Sequence, residues 1–223
     1  MKNFIQSLSA RLEFAFVVGA AFGYIIVISF LRGIGFLPQK VYDGRHLLAI
    51  VIFEMIVGAV LVSFLWLRNG RPRTIGLRPT LKDTGIGLLL LVAAMLAYYV
   101  VWYMVWLFSP VTIAHVHAIY AQLKSPTHPS VAAVLGNSCI NATFEEVFVS
   151  GYVITAVRRW RSPMFAASVS VAIRLLYHLY QREMAFIGVL PLGLLFASWY
   201  VRSGRLWPLI VAHAIEDFVA LMH

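Results

Sequence analysis

Long uninterrupted runs of apolar residues constrain this chain before anything else does. Seven stand out, near Phe14–Leu31, Leu47–Leu67, Thr84–Phe108, Val131–Val157, Pro163–Tyr180, Met184–Val201 and Leu206–Met222. A helix needs about 20 mainly apolar residues to cross a bilayer. The second and third runs meet that length comfortably, while the last three are shorter or interrupted and are expected to tilt, break or pack inside a bundle. Hydrocarbon cannot satisfy an open strand edge, and the runs do not alternate, so helices are predicted and a β-barrel is not. Composition agrees: charged residues are 12% of the chain and hydrophobic ones 61%, against about 25% charged in a soluble domain. The predicted fold is all-α, a polytopic transmembrane helix bundle of about seven spans, in a single membrane domain over residues 1–223. The run at Phe14–Leu31 follows Lys2 and Arg11 without a small-residue cleavage site and a polar continuation, so it reads as a retained first span rather than a signal peptide.

The net charge of +9 sits mostly between the apolar runs. Twelve of the eighteen Lys and Arg residues fall on the N-terminal side of alternating spans: Lys2, Arg11, Arg68, Arg71, Arg73, Arg78, Lys82, Arg158, Arg159, Arg161, Arg202 and Arg205. Arg32, Lys40, Arg45, Lys124 and Arg182 fall on the other side, and Arg174 lies within a span. The positive-inside rule then puts the N-terminus in the cytoplasm and, for seven spans, the C-terminus outside. Anionic lipid head groups are the expected partners of these basic loops, and no aromatic-basic pattern calls for nucleic acid. Short loops and compact length point to a bacterial cytoplasmic membrane, and no feature specifies an oligomeric state.

Several features read as structural. Cys139 stands alone, so it can form neither an internal disulfide nor a cysteine-based metal site, and it is expected to be a small buried hydrophobe. Ser109–Ser130 is the longest polar-leaning connection and reads as a partly interfacial loop. Its histidines, His115, His117 and His128, have no acidic or cysteine partner at a ligand spacing. Tyr98, Tyr99, Trp102, Tyr103 and Trp106 read as an interfacial belt with some packing, and Gly85, Gly87, Gly188 and Gly193 as points of close helix approach.

The chemistry is carried by polar groups inside the later runs. Of nine acids, Glu145, Glu146, Glu216 and Asp217 fall there, accompanied by Arg174, His178 and His213. A charge at mid-bilayer costs a few kcal/mol or more, so such groups persist near one another, near water or at a working site. Arg174 and His178 share one helix face, as do His213 and Asp217, and as do Glu146 and Ser150. Glu145 and Glu146 point about 100° apart, so one can face a cavity where His178 and His213 converge while the other binds a neighbouring helix. Amide hydrolysis needs an activated water, a proton donor for the leaving nitrogen and donors aimed at the oxyanion, which these residue types can supply.

Three motifs resemble the CPBP family, which includes CAAX-prenyl endoproteases and the Abi-like bacterial proteins linked to bacteriocin processing and immunity. Glu145-Glu146-Val147-Phe148-Val149-Ser150-Gly151 resembles its Glu-Glu-x-x-x-Arg-Gly motif, Arg174-Leu175-Leu176-Tyr177-His178 its Phe-x-x-x-His motif, and His213-Ala214-Ile215-Glu216-Asp217 its His-x-x-x-Asn/Asp motif. The resemblance covers a core at 141–222. It implies an intramembrane endopeptidase in which Glu145 activates water, His178 helps hold that water, His213 and Asp217 stabilise the oxyanion, and Glu146 supports. Ser150 replaces the first motif's arginine and Arg174 the second motif's phenylalanine. Arg174 is therefore expected to supply the missing cation, pairing with Glu146 or Asp217. An ionised Asp217 cannot donate to an oxyanion, so it would be protonated or would orient His213. The resemblance implies a peptide or protein substrate and no obligatory cofactor, although His178, His213 and a carboxylate could also ligate zinc. Two other readings stand beside the peptidase: a catalytically inactive relative acting in immunity or as a scaffold, and a transporter using the buried acids as a proton relay.

Overall fold

Caps written into the sequence set where the helices begin. Ser9, Thr80, Ser130 and Ser162 each accept a hydrogen bond from the backbone N–H three residues on, at 3.2, 3.0, 3.2 and 3.2 Å. Asp43 does the same for the backbone N–H of His46 at 2.8 Å. The computed structural model describes residues 7–39, 41–69, 75–123 and 129–222. Every regular element among them is helical. In chain order these are α1 (Ala10–Gly33), α2 (Gly44–Asn69), α3 (Leu81–Phe108), α4 (Pro110–Leu123), α5 (131–157), α6 (Pro163–Tyr177), α7 (Ala185–Ser203) and α8 (Trp207–Met222). Wide π turns interrupt α1 at Gly19–Gly23 and α5 at Glu146–Tyr152, and open α7 at Ala185–Val189.

The chain is a multi-pass membrane protein. Four described helices, α1, α2, α3 and α7, are long and apolar enough to cross a bilayer, and α6 is apolar but shorter. Leu88, Leu89, Val92 and Leu96 stand outward on α3, a surface that only hydrocarbon covers without cost. Helix α5 lies at the centre, packed by α2 and α8; α8 packs in turn on α3, and α6 on α7. Gly87 lets α3 touch α8: a Cβ there would stand 2.8 Å from the Pro208 carbonyl oxygen and 2.8 Å from Val211 Cβ. Gly193 gives room to the Arg174 side chain, whereas Gly85 has nothing within 4 Å and Gly188 only ordinary contacts, so those two do not mark close approaches.

Side-chain contacts define two ends of the bundle. At one, Glu13 pairs with Arg68 and, at 3.6 Å, with Arg159. Arg205 pairs with Asp83 at 3.1 Å, and Leu206 N–H donates to the Gly76 carbonyl at 3.1 Å. At the other, Arg182 donates to the Gly33 carbonyl at 3.0 Å, Tyr180 N–H to Ser29 Oγ at 2.9 Å, and the Tyr42 and Tyr180 hydroxyls meet at 2.6 Å. The described basic residues of the two sides separate as the loops predict. Lys2, Lys40, Arg71, Arg73 and Lys124 lie outside the described residues.

Two further expectations fail. The segment Ser109–Ser130 is not a loop: 110–123 is helix α4, with Ile113, Val116 and Ile119 buried at helical spacing. Pro110 suits a first helical position, and Ser109 and Thr112 join side chains at 2.7 Å. Its histidines hid the periodicity; His117 lies against Trp102 with ring centroids 5.6 Å apart, and His128 is outside the described residues. Cys139 is exposed rather than buried, because it shares the outward stripe of α5 with Leu135 and Thr143. Of the aromatic run, Tyr98 and Trp102 turn inward onto Val116, Met184 and Ile187, while Tyr99, Tyr103 and Trp106 face outward.

Candidate active site

The site is built around the point where α5 changes from α to π winding. Val131–Glu145 is α-helical and the π turn begins at Glu146. Such turns recur at functional sites because the extra residue re-aims side chains. Both glutamates turn inward, and Glu146 is fully buried.

Glu146 is held from three sides. Arg174 Nη2 donates to its Oε1 at 2.6 Å, His213 Nδ1 meets the same oxygen at 2.8 Å, and Ser150 Oγ donates to Oε2 at 2.6 Å. Of the two partners expected for Arg174, Glu146 is the one it binds, and no ion pair to Asp217 occurs among the described residues. Charge-assisted bonds of this kind are what make a buried carboxylate tolerable. Arg174 reaches the place along Gly193 and lies over the Phe196 ring, 5.8 Å from its centroid.

Glu145 sits differently. Its Oε2 accepts a hydrogen bond from the Tyr177 hydroxyl at 2.6 Å and lies 3.7 Å from Arg174 Nη1. No described side chain binds its Oε1. Tyr177 is itself fixed by stacking on Phe22, with centroids 5.0 Å apart and planes 9° from parallel. Glu145 lines a cavity of about 540 Å³ with Asn141, Tyr177, His178 and Asp217.

Of the other residues, His213 comes close to the carboxylates. Its Nε2 is 3.6 Å from Asp217 Oδ1 and 3.9 Å from Glu145 Oε2. Asp217 is positioned by Asn141, whose Nδ2 donates to Oδ2 at 2.8 Å. His178 lines the same cavity just past the end of α6, with Nδ1 3.0 Å from the Arg174 carbonyl and its ring against Tyr177. No hydrogen bond among the described residues joins His178 to Glu145 or His213. Glu216 does not line the cavity. Sequence reasoning passed over Tyr177, Asn141 and Glu54. The last lines the cavity from α2 and is buried, and a lone acid inside an apolar run was the signal for it.

The described residues present no ready metal-ligand set. The Arg174 guanidinium is bonded to Glu146 and lies 3.7 Å from Glu145, and His213 Nδ1 is committed to Glu146. Among the described residues no three His, Cys, Asp or Glu side chains converge as a ligand set.

Comparison with known proteins gives one match. Residues 127–219 match the family model for type II CAAX prenyl endopeptidases, Rce1-like, in agreement with the resemblance carried by the three motifs. No curated protein and no solved structure matches the chain.

Proposed function

We propose that this chain is an intramembrane endopeptidase that hydrolyses a peptide bond near the membrane surface with water activated by Glu145. The observation that carries the reading is the asymmetry of that carboxylate: one oxygen is held by Tyr177 while the other is left to the cavity. Glu145 takes a proton from water, and the hydroxide adds to the scissile carbonyl carbon. Protonated His213, its Nδ1–H donating to Glu146, presents Nε2–H to the oxyanion. Collapse breaks the C–N bond, and Glu145 returns the proton to the leaving nitrogen, giving a carboxylic acid and an amine, which then exchange a proton to become carboxylate and ammonium. Asn141 and Asp217 hold the far wall of the site, and His178 contacts the water or the substrate backbone from the cavity side. Glu146 positions His213. The family match over 127–219 supports a peptidase of this general class. The substrate is a peptide or protein, and neither a cofactor nor zinc is required. The setting is a bacterial cytoplasmic membrane, with the N-terminus inside.

The test is membrane peptide profiling of cells with the parent chain and with Glu145→Gln, alongside purified protein treated with chelator. Loss of specific cleavage products with unchanged folding, and activity that survives chelation, is the expected result. An unchanged peptide profile with partner protection lost would sink the enzyme in favour of the non-catalytic immunity or scaffold reading. Proton-coupled flux in proteoliposomes would favour the transporter.

A further inference from the structure

Asn137 is a polar group that the fold itself does not use. It lies in the α-helical half of α5, one turn before Asn141 and two before Glu145, and all three line the cavity. It is 4% exposed, and its Oδ1 has no hydrogen-bond partner among the described residues. Leaving a buried carbonyl oxygen unpaired is unfavourable, so a fold that needed nothing from position 137 would be better served by an apolar residue. Other polar side chains of the lining are engaged. Asn141 donates to Asp217, Ser29 Oγ accepts from Tyr180 N–H, and the Tyr180 hydroxyl meets those of Tyr42 and the Gln181 amide. Much of the remaining lining is apolar, with Ile25 and Ile28 from α1 and Ile50 and Phe53 from α2.

A peptide entering such a cavity brings a donor and an acceptor with almost every residue, and apolar walls satisfy neither. A carboxamide offers an acceptor and two donors, the combination that one residue of extended main chain calls for. We propose that Asn137 binds the main chain of the peptide and holds it in register with Glu145. The inference rests on the peptidase reading and adds a substrate-binding residue to it. Two turns of α-helix separate Asn137 from Glu145, a rise of about 12 Å. Extended main chain advances about 3.3 Å per residue, so the contact falls about three or four residues from the bond that is cut. Asn141, between the two, spends its Nδ2 on Asp217. Because the carboxamide of Asn137 reads main chain, the contact favours no particular side chain. It sets which bond stands at Glu145, while the apolar walls receive the side chains.

The test uses the full chain in mixed micelles and an internally quenched pool of randomised peptides. Glu145→Gln should retain part of the pool, and Glu145→Gln combined with Asn137→Leu should retain about tenfold less, the scale of one lost hydrogen bond. Equal retention by the two proteins, or retention by neither, overturns the inference. Retention that depends on Asn137 without any cleavage by the parent counts against the peptidase reading alone. For a peptide that the parent cleaves, single N-methyl amides are placed along its chain. One position about three or four residues from the cut should cost about tenfold in kcat/KM, chiefly through KM, in the parent and nothing further in Asn137→Leu. Losses of the same size in both proteins overturn the assignment. Asn137→Leu removes an unpaired buried oxygen and should be no less stable than the parent in an unfolding titration. Asn137→Ala, which cannot overfill the space, repeats the binding and kinetic measurements; unchanged KM in a folded Asn137→Ala protein leaves the residue with no part in holding substrate.

Discussion

Removing the Arg174 cation should expose how much of the site is held by one ion pair. The guanidinium is 2.6 Å from Glu146 and 3.7 Å from Glu145, and both Arg174 and Glu146 are buried. At an effective dielectric of about 20, the shorter contact alone gives about 6 kcal/mol of gross attraction. Desolvating two ions costs several kcal/mol each, so the pair as a whole adds little net stability. Its loss is another matter. In Arg174→Gln, Glu146 keeps Ser150 and His213 but loses its closest and permanently charged partner, and breaking a buried pair costs about 3–5 kcal/mol. A marginally stable fold has only about 5–15 kcal/mol in hand.

The assay is a double-mutant cycle in mixed micelles, with unfolding free energies for Arg174→Gln, Glu146→Gln and the pair of changes together. The single arginine change should be severely destabilising, and the double should recover most of the loss, giving a coupling of about 2 kcal/mol or more, in the upper range for residues in contact. Activity should not return with stability, because Glu146→Gln replaces the anionic acceptor that holds His213 Nδ1 with a neutral amide. If Arg174→Gln folds and cleaves like the parent, or if the double variant is as unstable as the sum of the singles, the ion-pair account fails.

Ser150→Arg restores the family residue at position 150 but forces a second guanidinium onto a carboxylate that Arg174 already occupies, at a site 1% exposed; it should fold poorly by itself, and adding Arg174→Phe should rescue expression and thermal stability. Gly87→Ala places a Cβ 2.8 Å from the Pro208 carbonyl and should cost about 1–3 kcal/mol while loosening the helix that carries His213 and Asp217. Gly85→Ala, two residues away with nothing within 4 Å, should be neutral or up to about 1 kcal/mol stabilising in the same unfolding titration.

The membrane bundle was legible in the sequence because lipid allows so few alternatives. The charged members of the site were legible for the same reason: Glu145, Glu146, Arg174, His213 and Asp217 are conspicuous only against apolar runs. Their neutral partners were not. Tyr177 and Asn141 carry no charge to mark them out, and their bonds to Glu145 and Asp217 span 32 and 76 residues, far beyond any helical spacing. Cys139 was misplaced because a continuous apolar helix does not announce which face turns outward. Helix α4 was missed because three polar positions on its exposed side, His115, His117 and Gln122, mask a buried stripe of Ile113, Val116 and Ile119.

The two departures from the family pattern fall on the same carboxylate. Ser150 and Arg174 both bind Glu146, one through a hydroxyl and the other through a guanidinium. The loss of an arginine on α5 is therefore matched by its gain on α6, at the group that most needs a counter-charge. A buried carboxylate with no cation would be hard to keep, and one that had lost its purpose would be replaced by an apolar side chain at little cost or with a gain in stability. Retaining Glu146 together with a relocated cation makes sense if the carboxylate still has His213 to orient. Arg174 also lies 3.7 Å from Glu145, whose Oε2 accepts from the Tyr177 hydroxyl and which lines the cavity. Both changes bear first on how Glu146 is held, which is what the proposed hydrolysis needs if Glu146 is to orient His213.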